Sequence, residues 1–425
     1  MTTLRVRSDR RFIRSAHRSE RFVLVELEAP AATLQPTRDP VNLAFVLDRS
    51  GSMSGQKIEL AKRAIETAID RLLPSDRFSI VVYDDQIDVV VDGTHGSREA
   101  KTNAIERLRS IDARGSTDLG GGWLRGAEQV ALGQVALGDA SNGVNRVLLL
   151  TDGLANVGIT DPGELARHAQ ELRARGVTTT TFGVGGDFDE RLLQSMADAG
   201  GGHFYFIANA AQIQDHIATE VGELLQVVAR DAVIEITAPE SLEIGTLSPY
   251  GIERRGSRLR VLPSDLVAEQ KLEVVLRVKF GYGTIGQEIG ILVGVGDREG
   301  VLNPAGATAI GIGWEYRDDW TNDTQPRDRD VDRAVARLFA ARVRQDAVAL
   351  NRAGDYAAAV KGLHGVARRI AAYAAGDPEL GGLVRELRAE EQQWAMPMPE
   401  MARKTVHAQA SYALRSRAPD GRANR

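Results

Sequence analysis

The apolar positions of this 425-residue chain follow a different period in each part of the sequence. Between residues 40 and 228, unbroken apolar runs such as Leu43–Leu47 and Val147–Leu150 alternate with segments whose apolar residues recur at helical spacing. Unbroken runs are typical of strands buried on both faces of a parallel sheet. Strands that alternate with helices therefore predict a doubly wound, mostly parallel α/β domain over residues 39–228.

Apolar and polar residues alternate on both sides of this domain. The alternation is strict in Leu272–Phe280 and Ile289–Val295, and apolar residues also alternate between Phe12 and Leu27. This period predicts antiparallel strands with one core face. Because about three strands alone rarely form a stable unit, we expect residues 1–38 and 229–325 to build one antiparallel β-sandwich, into which the α/β domain is inserted. Two separate β pieces, one at each end of the domain, are the alternative.

A helical period returns after Pro326. Apolar residues at helical spacing in Val331–Val343, Tyr356–Tyr373 and Leu380–Trp394 predict a helical hairpin or three-helix unit over residues 326–395. Residues 396–425 begin with a Met-Pro-Met-Pro break and continue as a polar, basic segment. We expect a disordered tail there. A nucleic-acid-binding arm is disfavoured because the charges are diffuse and aromatic residues are nearly absent.

The amino-acid composition excludes several classes of function. The chain has no cysteine, which excludes disulfides and thiolate chemistry and fits a reducing compartment. A net charge of −5 points to neither nucleic acid nor membrane, and no apolar run approaches the roughly 18–20 residues of a membrane helix. The basic amino-terminal segment lacks the apolar region of a signal peptide. We therefore expect a cytoplasmic protein.

Oxygen-bearing side chains follow two of the predicted parallel strands directly. The first strand ends in Asp48, with Ser50 and Ser52 after it, and Asp152 follows Val147–Leu150 by two positions. Thr117 lies in a loop between these two segments. The carboxyl ends of parallel strands meet at the edge where open α/β sheets bind their ligands. Carboxylate and hydroxyl oxygens suit hard divalent cations such as Mg²⁺.

Each of these pieces has an ordinary structural explanation when it is taken alone. The Asp48–Ser52 segment could cap the helix that begins near Ile58, Thr117 could belong to a common turn, and Asp152 could follow its strand as part of a simple loop. The occurrence of all three at one predicted sheet edge favours a metal site.

Asp48-x-Ser50-x-Ser52, Thr117 and Asp152, in this order, resemble the metal-ion-dependent adhesion site of von Willebrand factor A (VWA) domains. The resemblance covers roughly residues 40–228. It implies that Ser50, Ser52 and Thr117 touch the cation directly, whereas Asp48 and Asp152 act mostly through water. It also implies Mg²⁺, with Mn²⁺ or Ca²⁺ as alternatives, and a Glu or Asp carboxylate of a partner protein at an open coordination position. The order of modules resembles bacterial VWA proteins of the inter-alpha-trypsin-inhibitor heavy-chain type.

The resemblance favours a metal-dependent protein-binding module that is not an enzyme. A dehalogenase-like phosphatase needs an Asp as general acid two residues after the first, but Ser50 stands there. The chain has neither a GxSxG elbow nor a zinc-type pair of histidines at i and i+4. A metal-dependent phosphohydrolase stays an alternative because a bound cation can polarise a phosphate. Another is an accessory subunit of an AAA+-type chelatase or assembly machine, whose ATPase would be a separate protein because no Walker motif is present.

Overall fold

The computed structural model describes residues 2–32, 38–137, 143–303 and 309–425. The chain divides into two compact units, which we call the α/β unit (Thr33–Gln226) and the sandwich unit (Met1–Ala32 with Val227–Arg425). In chain order the elements are β1 (Thr3–Ser8), β2 (Phe12–Arg14), β3 (Ser19–Glu28), β4 (Val41–Asp48), α1 (Gln56–Asp70), β5 (Arg77–Tyr83), β6 (Ile87–His95), α2 (Arg98–Arg109), α3 (Leu119–Leu137), β7 (Val144–Thr151), α4 (Pro162–Ala174), β8 (Thr178–Val184), α5 (Glu190–Ala199), β9 (Gly201–Ile207), α6 (Ile213–Leu224), β10 (Val227–Thr237), β11 (Glu243–Thr246), β12 (Gly251–Arg255), β13 (Arg258–Val267), β14 (Lys271–Phe280), β15 (Glu288–Gly296), β16 (Ile310–Arg317), α7 (Asp319–Thr324), α8 (Arg329–Arg352), α9 (Tyr356–Ala374), α10 (Pro378–Trp394) and α11 (Glu400–Leu414).

The described residues of the α/β unit form a six-stranded sheet in the order β6-β5-β4-β7-β8-β9. Its strands are parallel except for β6, which runs antiparallel to β5. Every residue of the central strands β4 and β7 is buried, as expected for strands covered on both faces. The predicted doubly wound, mostly parallel sheet is confirmed.

The Gly120–Gly122 triplet lies inside helix α3. A Cβ on Gly122 would lie 2.4 Å from Tyr83 Cγ, and a Cβ on Gly126 would lie 2.2 Å from Val46 Cγ2. The missing side chains therefore let α3 approach the sheet closely, and the resulting packing offsets the low helix propensity of glycine. The helix begins at Leu119, which positions the Thr117 loop immediately ahead of it.

The strands of the sandwich unit form two sheets, with the orders β1-β3-β14-β11 and β12-β13-β10-β15-β16-β2 among the described residues. Neighbouring strands are antiparallel apart from the short β2, which is parallel to β16. Strand β3 pairs with β14 over its whole length, from Ser19 with Phe280 to Glu28 with Lys271. Side chains from both sheets, among them Val25, Val274, Val293 and Trp314, form one core. The predicted insertion of the α/β fold into an antiparallel sandwich is confirmed.

The outer face of the four-stranded sheet is covered by helices. Phe22 and Leu24 of β3 pack in one cluster with Val331 and Val335 of α8 and with Leu414 of α11. Helices α8, α9 and α10 share a second apolar cluster, which includes Trp394. Within the described ranges, no helix has both the length and the apolar character needed to cross a bilayer.

The prediction of a disordered tail over residues 396–425 is wrong. Residues Glu400–Leu414 form α11, which buries Lys404, His407 and Ser411 besides its apolar residues. Tyr250 donates a hydrogen bond of 3.0 Å to the Arg415 carbonyl. Basic composition was misleading here because polar residues of this segment are buried and hydrogen-bonded within the unit instead of being solvated.

Candidate metal centre

The two carboxylates of the candidate site are brought together by adjacent parallel strands. Asp48 is the last residue of β4 and Asp152 follows the last residue of β7. These strands are paired from Val41 with Val144 to Leu47 with Leu150, so they end at the same edge of the sheet. Both carboxylates are fully buried, which is costly unless each has charged or hydrogen-bonding partners.

Hydrogen bonds connect these carboxylates to the serine loop. Asp48 Oδ1 accepts from the Ser50 backbone N–H at 2.7 Å, and its Oδ2 accepts from the Thr151 hydroxyl at 2.6 Å. The Ser52 hydroxyl donates to Asp152 Oδ1 at 2.7 Å and lies 3.1 Å from Ser50 Oγ. Four of the five predicted site residues thus form one connected cluster.

Thr117 reaches this cluster on a loop that backbone hydrogen bonds hold in place. The Gly51 N–H donates to the Gly115 carbonyl at 3.2 Å, and the Arg114 N–H donates to the Arg49 carbonyl at 2.7 Å. The Thr117 N–H donates to Asn156 Oδ1 at 3.1 Å. In the part of the chain that the structure describes, no hydrogen bond reaches Thr117 Oγ1, although the residue is only 3% exposed. A hydroxyl held in this way is available to a ligand.

The oxygens of the cluster surround a gap beside Gly153. A Cβ on this glycine would lie 3.3 Å from Thr117 Oγ1 and 3.8 Å from both Asp48 Oδ2 and Ser52 Oγ. One methyl group on the Asp152–Gly153 segment would therefore contact oxygens from the other two segments. Asp48, Ser52 and Thr117 border this space, and hydrogen bonds to Ser52 join Ser50 and Asp152 to them.

The chemistry of the donor set fits a hard divalent cation. Two carboxylates and three hydroxyls offer only oxygen, which Mg²⁺ prefers. Burial raises the pKa of the Asp48 carboxyl above its usual value, although hydrogen bonds from Ser50 and Thr151 oppose the rise. A cation close to this group would favour its charged form. We conclude that the residues present suit Mg²⁺.

Gly153→Ala is expected to weaken Mg²⁺ binding at least about tenfold while the protein stays folded. The backbone of Gly153 is not left-handed, so alanine is tolerated there and its methyl group takes up the gap. Isothermal titration with Mg²⁺ measures the affinity, and circular dichroism checks the fold. Gly51→Ala is the matched control, because its Cβ would make an ordinary contact of 3.6 Å with the Gly115 carbonyl. Wild-type affinity in Gly153→Ala would show that the cation does not use this gap.

Sequence reasoning missed three residues that support the cluster. Thr151 hydrogen-bonds Asp48, Asn156 accepts from Thr117, and Lys57 Nζ forms an ion pair with Asp152 Oδ2. Thr151 adjoins the predicted Asp152, so its position in the Thr-Asp-Gly turn was an available signal. For Lys57 and Asn156 the sequence offers no comparable signal, because their partners are remote in the sequence.

A second group of metal-ligating side chains lies elsewhere in the α/β unit. In the described ranges, His203, Glu220 and Glu223 have ligand atoms within 4.8 Å of one another. The Glu220 carboxylate already has four partners: Arg146 Nη1 at 2.8 Å, Thr180 Oγ1 at 2.6 Å, Tyr205 Oη at 2.9 Å and His203 Nδ1 at 3.0 Å. This saturated carboxylate belongs to a buried ionic network that joins α6 to β7, β8 and β9.

Comparison with known proteins agrees with this geometry. Residues 42–219 match the family model of the von Willebrand factor type A domain. The uncharacterized protein YfbK of Escherichia coli is 34% identical over 197 residues, which are 46% of this chain and 33% of that protein. Bovine inter-alpha-trypsin inhibitor heavy chain H1 is 28% identical over 183 residues, 42% of this chain and 19% of that one. The chain thus spans a third or less of the length of these two relatives.

The fold also occurs in a solved structure. The von Willebrand factor type A protein from Catenulispora acidiphila superposes with a TM-score of 0.69 at 20% sequence identity. The superposition covers 95% of this chain and 88% of that chain. At this identity the likeness establishes a shared fold and nothing about ligands.

Proposed function

This chain contains a von Willebrand factor type A domain, and on that premise we propose that its metal centre is a divalent-cation-dependent docking point for a partner protein. The observation that carries the proposal is the convergence of three remote segments on the gap at Gly153, where the hydroxyl of Thr117 has no hydrogen bond to any residue that the structure describes. Ser50, Ser52 and Thr117 would hold Mg²⁺ directly, and Asp48 and Asp152 would hold it through water. Bound there, Mg²⁺ supplies one electrophilic position.

The surroundings of the gap favour an acidic group on the partner. Three of the five residues offer neutral hydroxyls, which offset little of the charge of a cation. A Glu or Asp carboxylate is therefore the expected ligand at the open position. Leu154 and Val157, on the loop after Asp152, are 54% and 37% exposed. They offer apolar contacts to partner residues beside that carboxylate.

A binding role also fits the carboxylates better than catalysis does. Asp48 accepts hydrogen bonds from Ser50 and Thr151, and Asp152 accepts from Ser52 and is paired with Lys57. A general base needs an oxygen free to take a proton from the substrate or from a water molecule. Both side chains are instead held as fixed charges, which suits the positioning of a cation.

Capture of partners in the presence and absence of metal tests the proposal. Wild type and Gly153→Ala are immobilised and exposed to a lysate of the source organism, with either Mg²⁺ or EDTA, and the retained proteins are quantified by mass spectrometry. We expect at least one protein that wild type retains only with Mg²⁺ and that Gly153→Ala does not retain. Gly51→Ala should retain it.

The other outcomes distinguish the alternatives. A set of retained proteins that EDTA and Gly153→Ala both leave unchanged would refute metal-dependent docking. An AAA+ ATPase among the Mg²⁺-dependent proteins would identify the accessory-subunit role. Hydrolysis of a generic phosphoester by wild type and not by Gly153→Ala would favour a phosphohydrolase.

A further inference from the structure

Lys57 places a fixed positive charge at the edge of the metal centre. It lies in the first turn of α1, and its ammonium group pairs with Asp152 Oδ2 and donates to the Ser52 carbonyl at 3.2 Å. The Asp152 carboxylate is fully buried, whereas the Lys57 side chain is 29% exposed. Lys57 therefore neutralises a carboxylate that solvent screens little.

Other cations near the serine loop are committed to different carboxylates. Arg49 Nε lies 3.0 Å from Asp84 Oδ2 and also pairs with Asp88. Arg114 Nε lies 2.8 Å from the same Asp84 oxygen. Among the residues that the structure describes, Lys57 is thus the cation that pairs with a carboxylate of the cluster itself.

The charges of the centre can then be counted. Asp48 and Asp152 contribute two negative charges and Lys57 contributes one positive charge, so the centre carries a net charge of −1. A divalent cation changes this to +1, which one partner carboxylate neutralises. Without Lys57 the loaded centre would be neutral, and its attraction for an anion would be weaker.

We propose that Lys57 is a built-in counter-cation that weakens metal binding at this centre and strengthens the capture of a single carboxylate. The inference rests on the proposed function, which it deepens by assigning the charge that selects the partner group. It predicts opposite effects of one substitution on two affinities. A purely structural role of Lys57 would lower both affinities or neither.

Lys57→Met removes the charge and keeps the length of the side chain, and Lys57→Arg keeps the charge. Mn²⁺ serves as the probe because it accepts the same oxygen ligands as Mg²⁺. Electron paramagnetic resonance of free Mn²⁺ gives the metal affinity. Titration of the Mn²⁺-loaded protein with acetate, followed by water proton relaxation, gives the affinity for a carboxylate.

We expect Lys57→Met to bind Mn²⁺ about tenfold more tightly and acetate about tenfold more weakly than wild type. Lys57→Arg should stay close to wild type in both measurements. Lys57→Gln provides a second neutral variant should the methionine protein fold poorly, as judged by circular dichroism.

The two proposals fail in different ways. If wild type binds Mn²⁺ but the neutral variants bind it no more tightly, or if they bind acetate as well as wild type does, the role assigned to Lys57 is wrong and the metal centre stands. If wild type binds Mn²⁺ no better than Gly153→Ala does, the proposed function falls, and the inference about Lys57 falls with it.

Discussion

Replacing Thr117 with valine is expected to remove most of the stabilisation that Mg²⁺ confers on the α/β unit while leaving the metal-free unit intact. Valine has nearly the same shape and lacks only the hydroxyl. That hydroxyl has no hydrogen bond among the described residues, although Thr117 as a whole is only 3% exposed, so its removal breaks no internal hydrogen bond. Because no internal hydrogen bond is lost, the metal-free variant should be about as stable as wild type.

The expected loss is large because Thr117 supplies the oxygen from one of the three segments. At a Mg²⁺ concentration 100 times the dissociation constant, wild type gains about 2.7 kcal/mol. A hundredfold weaker affinity in Thr117→Val, at the upper end of what changes around a metal site cause, leaves a gain of about 0.4 kcal/mol. Hydrogen exchange at the amides of β4 and β7 reports the free energy of unfolding of this unit separately from the sandwich unit.

A buried threonine of the same sheet provides the control. Thr179 Oγ1 accepts a hydrogen bond of 3.2 Å from the indole of Trp123, so Thr179→Val should lower the stability of the unit. It should keep the full response to Mg²⁺, because Thr179 lies near the beginning of β8, away from the edge with the metal centre. An undiminished Mg²⁺ response in Thr117→Val would exclude Thr117 as a ligand.

Glu220→Gln is expected to destabilise the α/β unit by about 3 kcal/mol or more. Each oxygen of the Glu220 carboxylate accepts two hydrogen bonds, from groups on β7 and β8 at Oε1 and from groups on β9 at Oε2. Glutamine has one oxygen and one NH₂ group, so it must turn a donor toward two other donors. Denaturant titration followed by hydrogen exchange measures the change.

The same carboxylate gives stability a dependence on pH. Burial alone would raise the pKa of Glu220, but the charge and hydrogen bond of His203, together with Arg146 and Thr180, hold it well below its ordinary value of 4.5. The unfolded chain binds a proton near that ordinary value and the folded chain only at lower pH. The contribution of Glu220 is therefore complete above about pH 4.5 and is lost as the pH falls toward the lowered pKa. The difference in stability between wild type and Glu220→Gln should shrink accordingly.

Glu66→Gln makes the same chemical change at a surface ion pair. Its partner Arg109 is 66% exposed, and solvent screening leaves such pairs with little net effect. We expect no resolvable change in stability. An equally small change in Glu220→Gln would mean that the buried network does not anchor α6 to the sheet.

The proximity of the candidate site residues was partly predictable because the positions of Asp48 and Asp152 follow from strand geometry. Asp48 and Asp152 come directly after two apolar runs, and parallel strands in the same sheet must end at the same edge. The serine loop continues from Asp48 without interruption. The Thr117 loop was assigned to the site through its place in a known motif, and its docking depends on the carbonyls of Gly115 and Arg49, which no side-chain pattern encodes.

Lys57 and the last helix were not predictable for a related reason. The sequence pattern began the first helix at Ile58, and a lysine at a helix start is ordinarily solvated; its partner Asp152 is 95 positions away. In α11, basic residues suggested disorder, although Ala410 and Leu414 face an apolar cluster. A charged residue is expected to be exposed unless it pairs with a residue that is distant in the sequence. The sequence alone does not reveal such pairs.

The pairing of β3 with β14 determines the order in which the two units can form on the ribosome. Glu28 of β3 can pair with Lys271 of β14 only after roughly 240 further residues have been synthesised. The α/β unit, by contrast, is one continuous stretch of the chain. Because domains generally fold as units while the chain emerges, the α/β unit is expected to fold first. Until β14 has been synthesised, β1 and β3 form a hairpin in which one edge of β3 is unpaired. When β14 then pairs with β3, it closes a long loop that contains the already folded α/β unit.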